Sequence, residues 1–208
     1  MFKALVVDDH PFIRAAIKAL LLKEKIEVIA EGANGAEALR LARELQPDLI
    51  VLDISMPQLD GLEVIHRLAS FGVKSKILVL TSLSPQFYAT RCMNAGAAGF
   101  VSKTNDLNDL SRAVQLLMSG YTFFPNLANS SVRRSDAQGS EADIIACLSD
   151  REMLILQQLS QGYSNKEIGE AMLLSNKTIS AYKTRLIEKL NVKSVVALAD
   201  FAKRNDLI

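Results

Sequence analysis

Five short apolar runs separated by stretches of helical periodicity constrain this chain more than any other feature. Strands are predicted at Lys3 to Asp8, Ile26 to Glu31, Asp48 to Asp53, Lys76 to Thr81 and Gly99 to Ser102. Helices fill the gaps at Pro11 to Lys25, Asn34 to Gln46, Leu62 to Phe71, Pro85 to Ala95 and Leu107 to Ser119. A run such as Leu49-Ile50-Val51-Leu52, apolar at every position, is what a strand needs when both of its faces are covered. Strict alternation with helices then demands right-handed crossovers, so the fold class is α/β: a doubly wound, flavodoxin-like, five-stranded parallel sheet. Pro11 and Pro85 suit first helical turns, where a missing N–H costs nothing, and Ser84 is placed as an N-cap.

At 208 residues the chain exceeds the commonest single-domain size of about 100 to 150 residues, and its composition divides it. From Asn126 to Asp143 the apolar periodicity gives way to Asn, Ser, Arg, Asp, Gln and Gly, the composition of a flexible linker. The expected organisation is a first domain over residues 1–122, a linker over 123–143 and a second domain over 144–208. In the second domain two S-x-x-E capping boxes, Ser149/Glu152 and Ser164/Glu167, open helices at Asp150 to Gln161 and Asn165 to Met172. Leu173-Leu174-Ser175 reads as a tight turn, Asn176 to Leu190 as a third helix, and Ser194 caps a fourth that runs to about Arg204, so this domain is expected to be a small all-α, four-helix unit.

The chemistry is predicted at the carboxyl ends of the strands, where ligands of parallel sheets gather. Strand 1 ends in Asp8 and Asp9 and strand 3 in Asp53, so three carboxylates would share one crevice. Their mutual repulsion makes sense only with a divalent cation, and hard oxygen ligands point to Mg2+. A carboxylate nucleophile can form an acyl phosphate when Mg2+ and a fixed cation neutralise the donor phosphoryl group. Asp53 is the candidate nucleophile; Asp8, Asp9, Asp53 and the Ser55 backbone carbonyl are candidate metal ligands; Lys103 is the fixed cation and Thr81 supplies a hydroxyl. Singly, each has a blander use as turn, cap or surface residue. Jointly, five polar residues at the same end of strands 1, 3, 4 and 5 are hard to obtain from capping alone.

These residues and the motifs around them resemble a known family. Asp8-Asp9-His10, the run D-I-S-M-P-Q-L-D-G from Asp53 to Gly61, Thr81, the run G-A-A-G-F from Gly96 to Phe100, and Lys103 are similar to those of two-component response-regulator receiver domains. The resemblance implies that Asp53 takes a phosphoryl group from a sensor histidine kinase or a histidine phosphotransfer domain, without being a turnover enzyme on a metabolite. It also implies that Thr81 and Phe100 form a switch, the hydroxyl moving to the phosphoryl group while the ring turns inward. One departure is that Thr104 and Asn105 follow Lys103, where many receivers carry proline.

In the second domain, helix, three-residue turn and helix make a helix-turn-helix, whose second helix enters the DNA major groove. On Asn176 to Leu190 the spacing of Ile179, Tyr182, Leu186 and Leu190 marks a core face. That leaves Ser180, Ala181 and Thr184 small enough to approach base edges, with Lys177, Lys183, Arg185 and Lys189 as phosphate contacts. The motifs L-S-D-R-E (Leu148 to Glu152), G-Y-S-N-K-E-I (Gly162 to Ile168) and S-N-K-T-I-S-A-Y-K-T-R-L (Ser175 to Leu186) resemble the LuxR/NarL/FixJ-type DNA-binding domain. The whole chain is thus similar to the NarL/FixJ family of transcription regulators. Tyr121 to Pro125 and Asp200 to Leu207 resemble its virulence-regulator (BvgA/EvgA) branch. Double-stranded promoter DNA and RNA polymerase are the partners this implies. A surplus of apolar residues on the last helix, among them Val195, Leu198, Ala199 and Ala202, suggests a partner helix and, with the resemblance, a homodimer on DNA.

Composition narrows the field further. A net charge of +1 excludes a strongly basic protein that coats nucleic acid. No apolar run approaches the about 18 residues of a membrane span, and no signal peptide precedes the first strand, so no membrane partner and a cytoplasmic location are expected. Cys92 and Cys147 lack metal-ligand spacing and are expected as thiols. A Mg2+-dependent aspartyl phosphatase of the haloacid dehalogenase type also uses an Asp nucleophile, but it carries another Asp two residues on, where Ser55 stands here. RNA binding by the second domain is the other alternative, and the short turn between capped helices favours DNA.

Overall fold

The strands form where the sequence is apolar: β1 (Phe2–Val7), β2 (Ile26–Gly32), β3 (Leu49–Leu52), β4 (Lys76–Thr81) and β5 (Gly99–Ser102). In the computed structural model, which describes residues 1–56, 61–104, 106–125 and 141–208, they make one parallel sheet in the order β2-β1-β3-β4-β5. Residues 57–60 of the Asp53 motif, residue 105 and most of the expected linker lie outside the described residues. The crossovers are α1 (Pro11–Lys23), α2 (Gly35–Leu45), α3 (Gly61–Ser70) and α4 (Pro85–Ala95), and α5 (Leu107–Met118) follows β5. Alternate residues Ala4, Val6, Val51, Leu78 and Leu80 pack with α1 and α5, which leaves Leu5, Ile50, Leu52, Val79 and Phe100 for the face beside α2, α3 and α4. Every residue of β3 is buried, which accounts for its unbroken apolar run.

Helix starts follow local chemistry with one exception. Pro11 and Pro85 occupy first turns, and the Asn34 and Asp106 side chains accept the N–H groups of Glu37 and Asn108. Ser84 holds the N-cap position of α4, but its side chain makes no capping bond. The first domain also runs further than residue 122. The Phe123 carbonyl accepts the Phe100 N–H at 2.7 Å and the Phe123 N–H donates to the Ala98 carbonyl at 3.1 Å, so Phe123 pairs with the open edge of β5 instead of starting a linker.

The chain forms two compact units, Met1–Asn126 and Leu127–Ile208. The second contains α6 (Glu141–Ala146), α7 (Asp150–Ser160), α8 (Asn165–Met172), α9 (Asn176–Lys189) and α10 (Val195–Arg204). Helix α6 was not legible in the sequence and takes up the end of the expected linker; Arg204 and Asn205 hold its first residue, Glu141. Both capping boxes form. The α8–α9 turn closes through Leu173 in the left-handed conformation, φ 55°. A Cβ on Gly169 would stand 2.7 Å from the Leu174 carbonyl oxygen, so glycine is what lets the turn fold back on α8. Helix α10 packs on α7 and buries Leu198, Phe201 and Ala202. The expected dimer face is therefore corrected: Leu198 and Ala202 belong to the unit's own core, and Val196, 72% exposed, is the large apolar residue of α10 that faces out.

Two consequences are measurable. A Cβ on Gly61 would lie 2.3 Å from the Cα of Ile54, backbone that cannot give way cheaply. Gly61→Ala should cost the first unit about 1–3 kcal/mol, seen as a lower urea midpoint; an unchanged midpoint would show that the β3–α3 loop adapts.

Glu152, buried, accepts the Ser149 N–H at 2.9 Å and the Lys189 ammonium at 2.7 and 2.9 Å. Burial alone would raise its pKa, but the bonds from Lys189 and Ser149 hold it below the ordinary 4.5. Because the folded value is depressed, this stabilisation is present above the ordinary carboxylate pKa and is lost as pH falls through the folded value. Glu152→Gln should cost about 1–3 kcal/mol at neutral pH, and its gap from wild type should close in acid, as followed by urea unfolding at the α7 amides.

Candidate functional site

The ladder hydrogen bonds run one residue past the strand ends and so set the site in register. Asp53 N–H donates to the Val7 carbonyl at 2.9 Å, Asp8 N–H to the Gly32 carbonyl at 3.1 Å, and Lys103 N–H to the Thr81 carbonyl at 2.8 Å. The Lys103 ammonium bridges two buried carboxylates, 2.6 Å from Asp53 Oδ2 and 2.8 Å from Asp8 Oδ2. Burial would lower the pKa of Lys103, but the bonds to and charge of Asp53 and then Asp8 outweigh it and raise it above the ordinary lysine value. Lys103 thus stays charged at neutral pH. Asp53 Oδ1 accepts the Ser55 N–H at 2.8 Å and Asp8 Oδ1 the His10 N–H at 2.9 Å.

The acidic pair fits a divalent cation. Asp8, Asp9 and His10 each offer a ligand atom within 4.8 Å of the others. Asp9 Oδ1 is covered from solvent and accepts no hydrogen bond, although His10 Nδ1 stands 2.7 Å away. A covered carboxylate oxygen that accepts no hydrogen bond, beside the Asp8 carboxylate, is a group that a cation would satisfy. Asp53 is not part of that cluster; Lys103 is what links it to Asp8.

Thr81 is fully buried, and its hydroxyl lies 2.7 Å from that of Ser55 while accepting the Leu83 N–H at 3.3 Å. Phe100 is 1% exposed, so its ring already lies inside. Three interactions were not foreseen from the sequence. The Ser55 side chain reaches Thr81, His10 approaches Asp9, and Arg14 donates to the Asp8 carbonyl at 2.7 Å while pairing with Glu31. Only the adjacency of His10 to the acidic pair could have signalled any of them.

In the second unit, Ser175 caps α9 by accepting the Thr178 N–H, and Ile179, Leu186 and Leu190 face the core. Lys177, Ala181, Thr184 and Arg185 are exposed, and Ser180 and Lys183 half-buried. The Thr184 hydroxyl donates back to the Ser180 carbonyl at 3.1 Å and so is already partnered within the helix. Arg185 stacks over the Tyr182 ring at 4.6 Å. Lys189 is corrected: its ammonium is committed to Glu152. Lys177 and Lys183 make no ion pair among the described residues. Cys92 and Cys147 form no disulfide, and no helix among the described residues is long and apolar enough to cross a membrane.

Comparison with known proteins agrees with this geometry. Residues 4–115 match the response regulator receiver domain family, and residues 146–202 the LuxR family of bacterial regulatory proteins. The virulence-factor transcription regulator BvgA of Bordetella pertussis (strain Tohama I) is 51% identical over 205 residues, 99% of this chain and 98% of BvgA. The DNA-binding transcriptional activator EvgA of Escherichia coli K12 is 36% identical over 204 residues, 98% of each chain. The structure of RcsB from Salmonella enterica serovar Typhimurium bound to promoter rprA with the phosphomimetic BeF3− superposes with a TM-score of 0.78 at 25% identity, covering 98% of this chain and 99% of that one. A receiver domain with its acidic crevice, followed by a LuxR-type helix-turn-helix over nearly the full length of these relatives, places the chain in the NarL/FixJ family of response regulators.

Proposed function

We propose that the chain accepts a phosphoryl group on Asp53 from the phosphohistidine of a sensor kinase or histidine phosphotransfer domain, and that this controls its binding to promoter DNA as a homodimer. The bridge from Lys103 to Asp53 and Asp8 carries the reading, because it sets a permanent positive charge against a buried carboxylate at the mouth of the sheet. An Asp53 carboxylate oxygen forms the new P–O bond as the P–N bond to the donor imidazole breaks, and the imidazole leaves with the electron pair and takes up a proton. Lys103 moves from Asp53 to the phosphoryl oxygens, and the Thr81 hydroxyl donates a hydrogen bond to one of them. Asp8, Asp9, Asp53 and the Ser55 carbonyl would hold a Mg2+ ion, which would supply further positive charge to the phosphoryl group. The imidazole nitrogen of His10 is a ligand that Mg2+ does not favour.

On DNA, α9 would present Ser180, Ala181 and the Thr184 methyl to base edges, with Lys177, Lys183 and Arg185 on phosphates. Val195, Val196 and Ala199, which keep exposed surface on α10, support a partner helix, and RNA polymerase would be met at the promoter.

Intact-mass measurement after incubation with acetyl phosphate and Mg2+ should show one phosphate adduct on wild type and none on Asp53→Asn; a chelator should abolish labelling, since the carboxylates cannot admit a phosphoryl dianion unaided. An adduct of equal yield on Asp53→Asn would sink the assignment.

Duplex titrations at several salt concentrations test the second unit. Lys177→Ala and Lys183→Ala should weaken specific and scrambled sequences alike and lower the salt slope by about 0.9 for each phosphate no longer neutralised. Thr184→Leu should instead change preference at one or two base positions by about 1–3 kcal/mol. The reverse pattern would mean that α9 enters the groove by another face.

A further inference from the structure

We propose that the Ser55 side chain is a latch that holds the Thr81 hydroxyl away from Asp53 until a phosphoryl group arrives, and that breaking this hydroxyl pair is the step by which phosphorylation is felt. The proposal rests on the phosphoacceptor role of Asp53 argued above.

Thr81 lies at the end of β4 with its side chain fully buried, so its hydroxyl has few places to go. One of them is taken. Ser55 Oγ stands 2.7 Å away, reaching across from the loop that follows β3, and whichever oxygen donates, the bond fixes the Thr81 rotamer. The same Thr81 oxygen accepts the Leu83 N–H at 3.3 Å, which ties the rotamer to the start of the β4–α4 loop. A hydroxyl carries a single proton, so Thr81 cannot donate to Ser55 and to a phosphoryl oxygen at once. If Ser55 is the donor, it and the Leu83 N–H fill both acceptor positions of the Thr81 oxygen and fix its rotamer, so turning the hydroxyl towards Asp53 breaks the pair in either case.

Ser55 is placed to sense the reaction. Its N–H already donates to Asp53 Oδ1 at 2.8 Å, so backbone and side chain of one residue hold the nucleophile and the hydroxyl in their resting positions. Once Asp53 carries a phosphoryl group, its dianionic oxygens outcompete a neutral hydroxyl, because hydrogen bonds to ionised acceptors are about twice as strong as neutral ones. Thr81 then turns from Ser55 to the phosphoryl group and releases Leu83. The aromatic ring cannot be the moving part in this step, since Phe100 is already inside at 1% exposure.

Three full-length proteins separate the possibilities: wild type, Ser55→Ala, which removes the latch, and Ser55→Thr, which keeps a hydroxyl. Without phosphodonor, Ser55→Ala should bind specific duplex about fivefold more tightly than wild type, the size set by the net worth of one neutral hydrogen bond. Ser55→Thr should restore the wild-type affinity. Hydrogen exchange supplies a readout that plain destabilisation would not mimic. The Leu83 amide should exchange several-fold faster in unphosphorylated Ser55→Ala, as it should in wild type after acetyl phosphate, while the Leu78 amide in the sheet is unchanged. Unphosphorylated Ser55→Ala with wild-type DNA affinity and wild-type Leu83 exchange would overturn the latch, and so would faster exchange spread over the whole sheet. Wild type run with acetyl phosphate distinguishes the two levels of the argument. A labelled wild type that gains no DNA affinity overturns the phosphorylation-controlled function and the latch with it, whereas a normal gain beside an inert Ser55→Ala overturns the latch alone.

Discussion

The ion pairs from Lys103 to Asp8 and Asp53 are the interaction on which the first unit is organised. Each carboxylate is almost wholly buried, and an unpaired buried charge would cost several kcal/mol, so neither could sit where it does without a cation in contact. Lys103 lies one residue beyond β5, at the edge of the sheet, while Asp8 and Asp53 leave β1 and β3 near its middle. Its side chain therefore spans the end of β4, and the Thr81 carbonyl fixes its backbone there through the Lys103 N–H. The pairing also leaves a deficit: one ammonium is shared by two carboxylates, and Asp9 keeps a covered oxygen that no hydrogen bond satisfies. A site so arranged is stable enough to fold and still under-neutralised, which is the condition for drawing in a divalent cation.

The sheet and the crevice were legible because they rest on short-range rules. A strand buried on both faces must be apolar throughout, as β3 is, and the polar residue that follows falls at the carboxyl edge whatever the helices do. The two capping boxes are equally local, each closed within four residues. What escaped depends on partners far away in sequence. Lys189 reads as a phosphate contact on a basic helix until Glu152, on another helix, takes its ammonium. Leu198 and Ala202 read as a spare apolar stripe because α10 is apolar on several sides, and only its packing on α7 decides which side is core. Phe123 follows a helix and precedes a polar stretch, so nothing nearby announces that it will pair with β5. Ser84 errs in the other direction, since its residue type and position suit a cap whose bond does not form.

Glycines tie fold and site together in both units for the same steric reason. Gly61 lets α3 begin against the backbone of Ile54, the residue next to Asp53, so the loop that follows Asp53 is pressed into place by a helix without a Cβ in between. Gly169 lets the α8–α9 turn close over its own helix, which sets the direction in which α9 leaves. Neither requirement follows from backbone dihedrals, for both are helical positions; each arises from how closely another segment approaches.

The arrangement also fixes where the energy of the proposed phosphorylation can go. A phosphoryl group brings close to two negative charges into a crevice whose Lys103 ammonium is already divided between two carboxylates, so Lys103 must redistribute its bonds. That residue sits three positions from Phe100 on the same short segment, and the Phe100 N–H is bonded to Phe123, close to where the first unit ends. Thr81, the other group able to answer the new charge, is coupled through its hydroxyl to Ser55 and Leu83. The two responses leave the site by different strands, β5 and β4, and these are hydrogen-bonded to one another from Leu78–Gly99 to Thr81–Ser102. A change in either would thus be imposed on both, and the covalent event proposed at Asp53 would act on one edge of the sheet as a unit.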